Sequence, residues 1–315
     1  MYQLMKADKV IDFMRWSKVA FVVSLVMIAV AIGTVATKKL NWGLDFTGGT
    51  LIEVGFEQPA DLGLIRESLE KAGFGDAIVQ NFGTARDVLV RLQPRETLKG
   101  EKLGLQIIDA LKVGTEQNVE MRRIEFVGPN VGDELAEAGG LAIIASLLCI
   151  LLYVSMRFEW RLAAGAVLAL AHDIIITIGI FSFLQIEVDL TIVAALLTVV
   201  GYSLNDTIVV FDRIRENFRK MRKGDSSDVM NNSITQTLSR TLITSATTLF
   251  VVIALFLQGG TMIHGFATAL LIGIVVGTYS SIYVASALAL KLGIVREHLM
   301  PPQVEKEGEE FESMP

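Results

Sequence analysis

Six long apolar runs, separated by polar stretches of very unequal length, set the pattern of this chain. The first extends from Val19 to Ala36. A long mixed stretch follows it, and five further runs, near 137–156, 162–184, 188–210, 241–258 and 265–290, fill the second half. Each is about 18 residues or longer, and a helix rising about 1.5 Å per residue crosses roughly 30 Å of hydrocarbon at that length. Lipid offers backbone N–H and C=O groups no partner, so each run predicts a membrane-spanning helix. The first run ends at Thr37-Lys38-Lys39 without a clearly placed small-x-small cleavage site. It is therefore expected to be an uncleaved span and not a signal peptide.

Between Asn41 and Pro129 the periodicity changes. Gly43–Phe56 reads as a strand with a turn or bulge at Thr47-Gly48-Gly49-Thr50, and Asp61–Ala72 as a helix with Leu62, Ile65, Leu69 and Ala72 on one side. Ala77–Phe82 and Asp87–Leu92 read as strands joined through Gly83-Thr84, Glu101–Val113 as a second amphipathic helix, and Val119–Val127 as a last strand. The order β-α-β-β-α-β is that of a ferredoxin-like split fold. The stretch holds neither cysteine nor histidine, hence no metal site and no obvious nucleophile, and a binding or structural module is the expected role. The predicted class is membrane all-α: six transmembrane helices with a periplasmic α+β ferredoxin-like domain between helices 1 and 2.

Residues 1–37 are expected to form the cytoplasmic N-terminus and helix 1, and 38–132 the periplasmic domain. Residues 133–292 carry helices 2–6 with a cytoplasmic loop at about 211–239, and 293–315 an acidic, disordered tail. The short connection Gly128-Pro129-Asn130-Val131-Gly132 suits either a plain tether or a transmitter of rigid-body movement.

Composition supports the membrane class: 52% of the residues are hydrophobic and the mean hydropathy is +0.51. The net charge of −6 reflects much acid in the tail, Glu305–Glu312, so charge placement is more informative than the total. Lys6, Lys9, Arg15, Lys18, Arg157, Arg161, Arg213 through Lys223, Lys291 and Arg296 fall in alternate connections. The short loops Gln185–Asp189 and Gln258–His264 carry no Lys or Arg. The positive-inside rule then places both termini in the cytoplasm of a multi-pass inner-membrane protein. The single cysteine, Cys149, sits in an apolar run and reads as a small apolar residue.

Charges inside spans cost about 2.5–3.5 kcal/mol each on insertion scales, so each requires an account. His172-Asp173 lies near the middle of the third span, Asn205-Asp206 in the cytoplasmic half of the fourth, and Arg240 at the opening of the fifth. Comparable depths make an Asp206–Arg240 pair possible, in which proton binding to the carboxylate releases a guanidinium that never deprotonates. Thr241, Thr244, Ser245 and Thr248 recur at helical spacing, fit to hold a water file or satisfy backbone groups. Structural alternatives stand beside each: a snorkelling anchor for Arg240, an interhelical hydrogen bond for Asp206, and a polar clasp for His172-Asp173. Gly273-x-x-x-Gly277 predicts close helix contact in the last span. Asp212–Lys220 reads as an amphipathic cytoplasmic continuation of the fourth helix, an anchor or a docking surface.

Several stretches in order resemble the SecD/SecF family of bacterial protein-export membrane proteins, and within it the SecF branch. They are Gly43-Leu44-Asp45-Phe46-Thr47-Gly48-Gly49-Thr50, Arg157-Phe158-Glu159-Trp160-Arg161, Ala171-His172-Asp173, Gly201-Tyr202-Ser203-Leu204-Asn205-Asp206-Thr207 running on to Asn217, and Ser239-Arg240-Thr241. The resemblance implies an auxiliary subunit of the Sec translocase that, with SecD, uses the proton motive force to promote precursor movement. It implies SecD as heteromeric partner, the SecYEG channel and SecA, YajC and YidC, and unfolded precursors in the periplasm. It also implies kinship with the resistance-nodulation-division superfamily and ties Asp206 and Arg240 to proton coupling. The candidate site is therefore Asp206, Arg240, Asn205, His172 and Asp173. Six spans with one external domain also form half of a twelve-span transporter.

Two other classes remain open from sequence: a structural brace of the SecD/SecYEG complex, and a half-transporter for small molecules or lipids. An enzyme is not expected, since there is no intramembrane HExxH or GxSxG and the three histidines are widely separated. No cofactor and no nucleic-acid partner is expected.

Overall fold

A computed structural model describes residues 10–94, 101–221 and 224–299. Lys6, Lys9, Lys223 and the Glu305–Glu312 tail lie outside them. Helix α1 (Ser17–Lys38) is followed by the two-residue strand β1 (Asn41–Trp42), the short helix α2 (Leu44–Thr47) and strand β2 (Gly49–Phe56). Then come α3 (Leu62–Lys71), β3 (Ile78–Phe82), β4 (Thr84–Leu92), α4 (Glu101–Thr115) and β5 (Val119–Val127). The membrane bundle continues with α5 (Pro129–Arg157), α6 (Trp160–Leu184), β6 (Glu187–Val188), α7 (Leu190–Lys220) and α8 (Ser226–Gln258). The last span is α9 (Gly260–Tyr279), a π-turn at Ser280–Ala285 and α10 (Ser286–Lys291). Among the described residues, six helical stretches are long and apolar enough to cross a bilayer.

The four-stranded sheet is antiparallel throughout, in the order β3-β4-β2-β5, as a β-α-β-β-α-β chain demands. Alternation along the strands turns Ile52, Val54, Val88, Val90 and Leu92 to one face, where Ile65 and Leu69 of α3 and Leu103, Ile107 and Leu111 of α4 cover them. Leu51, Glu53 and Leu89, with Arg123 and Glu125 of β5, face the membrane bundle instead. They line a cleft of about 560 Å³ shared with Glu187, Asp189, Phe256 and His264.

Three sequence expectations need correction here. The stretch from Gly43 to Phe56 is not one interrupted strand: Leu44–Thr47 closes into a helical turn before β2 starts. Gly48 has φ +64°, and a Cβ on it would meet Pro129 Cα at 2.9 Å. Gly49 has φ +124°, and a Cβ there would overlap the carbonyl oxygen of Leu92. Both residues must lack a side chain so that the strand can begin directly between the start of α5, at Gly48, and β4, at Gly49. Likewise, Pro129 is the first helical residue of α5, so the anticipated connection at 128–132 is almost wholly absorbed into the second span. The chain between the fourth and fifth spans is also mainly helical, since α7 runs on to Lys220 and α8 starts at Ser226.

α6, α7 and the sixth span form the centre of the bundle, with α1, α5 and α8 around them. Without a hydrophobic force between helices in lipid, close approach decides which pairs meet. Gly179 of α6 lies directly on Ala31 of α1, while Gly273 and Gly277 of α9 lie on Val199 and Ser203 of α7. The Gly-x-x-x-Gly pair thus seats the sixth span against the polar face of the fourth.

Candidate functional site

Two carboxylates are buried in this centre, Asp173 on α6 and Asp206 on α7, 1% and 7% exposed. Asp173 is eleven residues from the end of α6 at Leu184, roughly 16 Å along the axis, which places it near mid-helix. Its Oδ2 accepts from Ser203 Oγ at 2.7 Å and from Ser280 Oγ at 2.8 Å, and its Oδ1 lies 2.9 Å from His172 Nδ1. His172 is itself buried, its ring stacks on Tyr279 at 6.4 Å, and its Nε2 has no hydrogen-bond partner among the described residues.

Asp206 follows Ser203 by three residues, so both stand on one face of α7. Asp206 Oδ1 accepts from Thr241 Oγ1 of α8 at 2.7 Å, and Oδ2 from Ser281 Oγ at 2.6 Å. Neutral hydroxyls hold this carboxylate, and among the described residues no cation pairs with it. The hydroxyls continue: Ser245, one turn beyond Thr241 on α8, meets Thr278 Oγ1 at 2.7 Å and accepts from Tyr202 at 3.3 Å. Tyr279 ties the cluster to α1 by donating to the Ala20 carbonyl at 2.7 Å.

The structure brings together three of the five sequence candidates, Asp206, Asp173 and His172. Arg240 and Asn205 are exposed on the outside of the bundle. The expected Asp206–Arg240 pair is absent for a geometric reason: one residue advances a helix by about 100°, and Thr241 takes the position facing Asp206. The predicted hydroxyl stripe on α8 divides in the same way. Thr241 meets the carboxylate and Ser245 is buried against Thr278 and Tyr202, whereas Thr244 bonds its own backbone and is exposed. Ser203, Ser280 and Ser281 were not singled out from the sequence. Their signal is the polar run Thr278-Tyr279-Ser280-Ser281 in the middle of an apolar span.

Known proteins resemble this chain over its whole length. The family model described as protein export membrane protein SecD/SecF, C-terminal, matches residues 107–295, and the SecD/SecF GG motif matches residues 34–60, which contain Gly48 and Gly49. A curated protein translocase subunit SecF from Vibrio alginolyticus is 80% identical over 315 residues, covering all of both chains. The chain belongs to the SecF family. Its counterpart from Escherichia coli O157:H7 is 56% identical over 307 residues, 97% of this chain and 95% of that one. The crystal structure of SecDF from Thermus thermophilus, a translocon-associated membrane protein, superposes with a TM-score of 0.83 at 40% identity over 92% of this chain. A SecDF structure in a super-membrane-facing form gives 0.69 at 39% identity over 93%. This chain spans 39% of the length of those SecDF chains. Family and spans together make it a multi-pass inner-membrane protein.

Proposed function

We propose that the chain works as an auxiliary subunit of the Sec protein-export translocase, with SecD as its second six-span half, and that Asp206 takes up and releases the coupling proton. One observation carries the reading: a carboxylate inside a membrane bundle, satisfied among the described residues by hydroxyls of α8 and the sixth span alone. Burying an unpaired charge is costly, so gain of a proton by this carboxylate bears directly on the packing around it. A proton entering from the periplasmic side neutralises Asp206, loosens its hold on Thr241 and Ser281, and alters packing among α7, α8 and the sixth span. β5 enters α5 through Gly128 alone, so motion of the bundle reaches the external domain directly. One elementary charge crossing about 100 mV supplies about 2.3 kcal/mol, a bias of nearly fiftyfold on a two-state equilibrium.

The His172–Asp173 pair forms a second station at mid-membrane in this scheme. Arg240 and Asn205 face outward, and an exposed guanidinium at a span needs a polar neighbour, which a partner half would supply. The external domain faces the periplasm and meets unfolded precursor; SecYEG, SecA, YajC and YidC enter through the family resemblance. Both termini lie in the cytoplasm, a placement supported by Arg157, Arg161 and Arg213 at the end of the bundle away from the sheet. No catalytic step is assigned.

The test is precursor export by membrane vesicles carrying Asp206→Asn at matched assembly with SecD, with and without a proton gradient. Loss of the gradient-stimulated part alone supports the reading. Unchanged gradient dependence leaves the chain a brace, with coupling elsewhere.

A further inference from the structure

The sixth span changes helical pattern at the level of the two carboxylates, where α9 gives way to the π-turn Ser280–Ala285. Ser280 and Ser281 open the turn, are both fully buried, and donate to carboxylates on different helices, Asp173 and Asp206. Each hydroxyl also has a second acceptor on its own helix. The Gly277 carbonyl lies 3.1 Å from Ser280 Oγ, and the Thr278 carbonyl 3.0 Å from Ser281 Oγ. A hydroxyl has one hydrogen to donate, so each serine must choose. An ionised carboxylate is the stronger acceptor and holds that hydrogen. A protonated carboxyl can turn its own O–H toward the serine oxygen, and the serine hydrogen then passes to the backbone carbonyl.

Those two carbonyls lie where the α pattern ends. Serine bonding to a carbonyl one turn back bends helices, and π-turns are frequent at functional sites. We propose that Ser280 and Ser281 are positioning residues that convert protonation of Asp173 and Asp206 into a change of backbone pattern in the π-turn Ser280–Ala285. The inference rests on the proton-coupling reading above and names the element that responds. Proton bookkeeping is simple: the proton adds to a carboxylate oxygen and later leaves it, while each serine keeps its hydrogen and exchanges only the acceptor. The other groups facing the carboxylates are His172 on α6, Ser203 on α7 and Thr241 on α8, with Tyr279 stacked on His172 and Tyr283 behind Tyr279. No described Lys or Arg side chain bonds to either carboxylate.

The consequence extends along the span. Ser286 Oγ reaches the Ser281 carbonyl at 3.3 Å across the turn, and Gly165 of α6 is packed against the Ala285 backbone. Converting the π-turn to α shifts the helix register by one residue, turning the α10 segment by about 100° against α6. A proton captured in the bundle thereby moves the cytoplasmic end of the sixth span.

The test uses the complex with SecD in lipid nanodiscs, following amide hydrogen exchange of residues 281–286 at acidic and neutral pH. Gradient-stimulated export is measured in parallel as a ratio to export without a gradient. The wild type is expected to show pH-dependent exchange in this segment. Ser281→Ala loses that dependence and most of the gradient stimulation, and Ser281→Thr restores both. Retention of both by Ser281→Ala, while Asp206→Asn loses them, overturns the serine role and leaves the coupling reading standing. If Asp206→Asn also retains both, the coupling reading itself has failed. Should Ser281→Ala not assemble, Ser281→Cys, of similar shape but a weaker donor, is read in the same way.

Discussion

Arg91 fastens the sheet of the external domain to the rim of the membrane bundle, and its removal gives a prediction with an unusual sign. From β4 its guanidinium reaches Glu187 of β6 at 3.3 Å, the Trp42 carbonyl at 2.9 Å and the hydroxyl of Thr47. Hydrogen bonds to a charged group contribute about 1.5–3 kcal/mol each when buried, but Glu187 is a third exposed. Discounted for solvent screening, Arg91→Ala lowers docking by about 2–4 kcal/mol, thirtyfold or more in the docked-to-undocked ratio. Glu187 adds the pH dependence. Burial pushes its carboxyl above the usual range, Arg91 opposes that, and Asp189 and Asp45 add to it. The docked state therefore binds the Glu187 proton more tightly than an undocked state in which the group is solvated. Between the ordinary carboxylate range and the raised value, lowering the pH favours docking. Without Arg91 the opposing influence is gone and the window widens upward. Arg91→Ala is thus expected to undock at neutral pH and redock on mild acidification, while the wild type stays docked across the range. Spin labels at Lys112 of α4 and Gln258 of α8, with Cys149 replaced by Ser, report the separation by pulsed electron resonance. A variant whose distances match the wild type at neutral pH, or that opens on acidification, refutes the reasoning.

Three further substitutions probe the packing and the site. Gly49→Ala places a methyl on the Leu92 carbonyl at a backbone conformation that side chains avoid. A loss of about 2–4 kcal/mol is expected, measured as lower thermal stability of the purified protein. Gly179→Leu separates α6 from α1 at Ala31 and costs about 1–3 kcal/mol or more, visible as a faster loss of α1 protection from proteolysis. Thr241→Val leaves one Asp206 oxygen without its donor and destabilises by about 1.5–3 kcal/mol. Adding Asp206→Leu restores stability, because an apolar group no longer needs the donor, yet gradient-stimulated export stays absent.

Most of the fold is legible in the sequence because lipid leaves the chain few options: each long apolar run must be a helix, and alternation fixes the strands. The elements that escape are those too short for a period. Leu44–Thr47 is a single turn, and the β1–β6 ribbon pairs just Asn41 with Glu187 and Trp42 with Val188, residues far apart in the chain. The site divides along the same line. Depth along a span can be counted from the sequence, which placed Asp206, Asp173 and Arg240 at useful heights. Azimuth cannot be counted without knowing which helices are neighbours, and a single residue step separates the exposed Arg240 from the buried Thr241. Ser280 and Ser281 escape for a further reason, since the π-turn shifts the helix by one residue and the buried face beyond it no longer follows a single α period.

The central claim is that a proton passes through the hydroxyl-walled carboxylate Asp206. It is tested most directly by proton flux through the SecD complex in liposomes, with an imposed pH gradient, a trapped pH-sensitive dye and precursor present. The account predicts flux in the wild type and its loss in Asp206→Asn at equal protein content and orientation. Equal flux in both contradicts it and moves the proton path away from this residue.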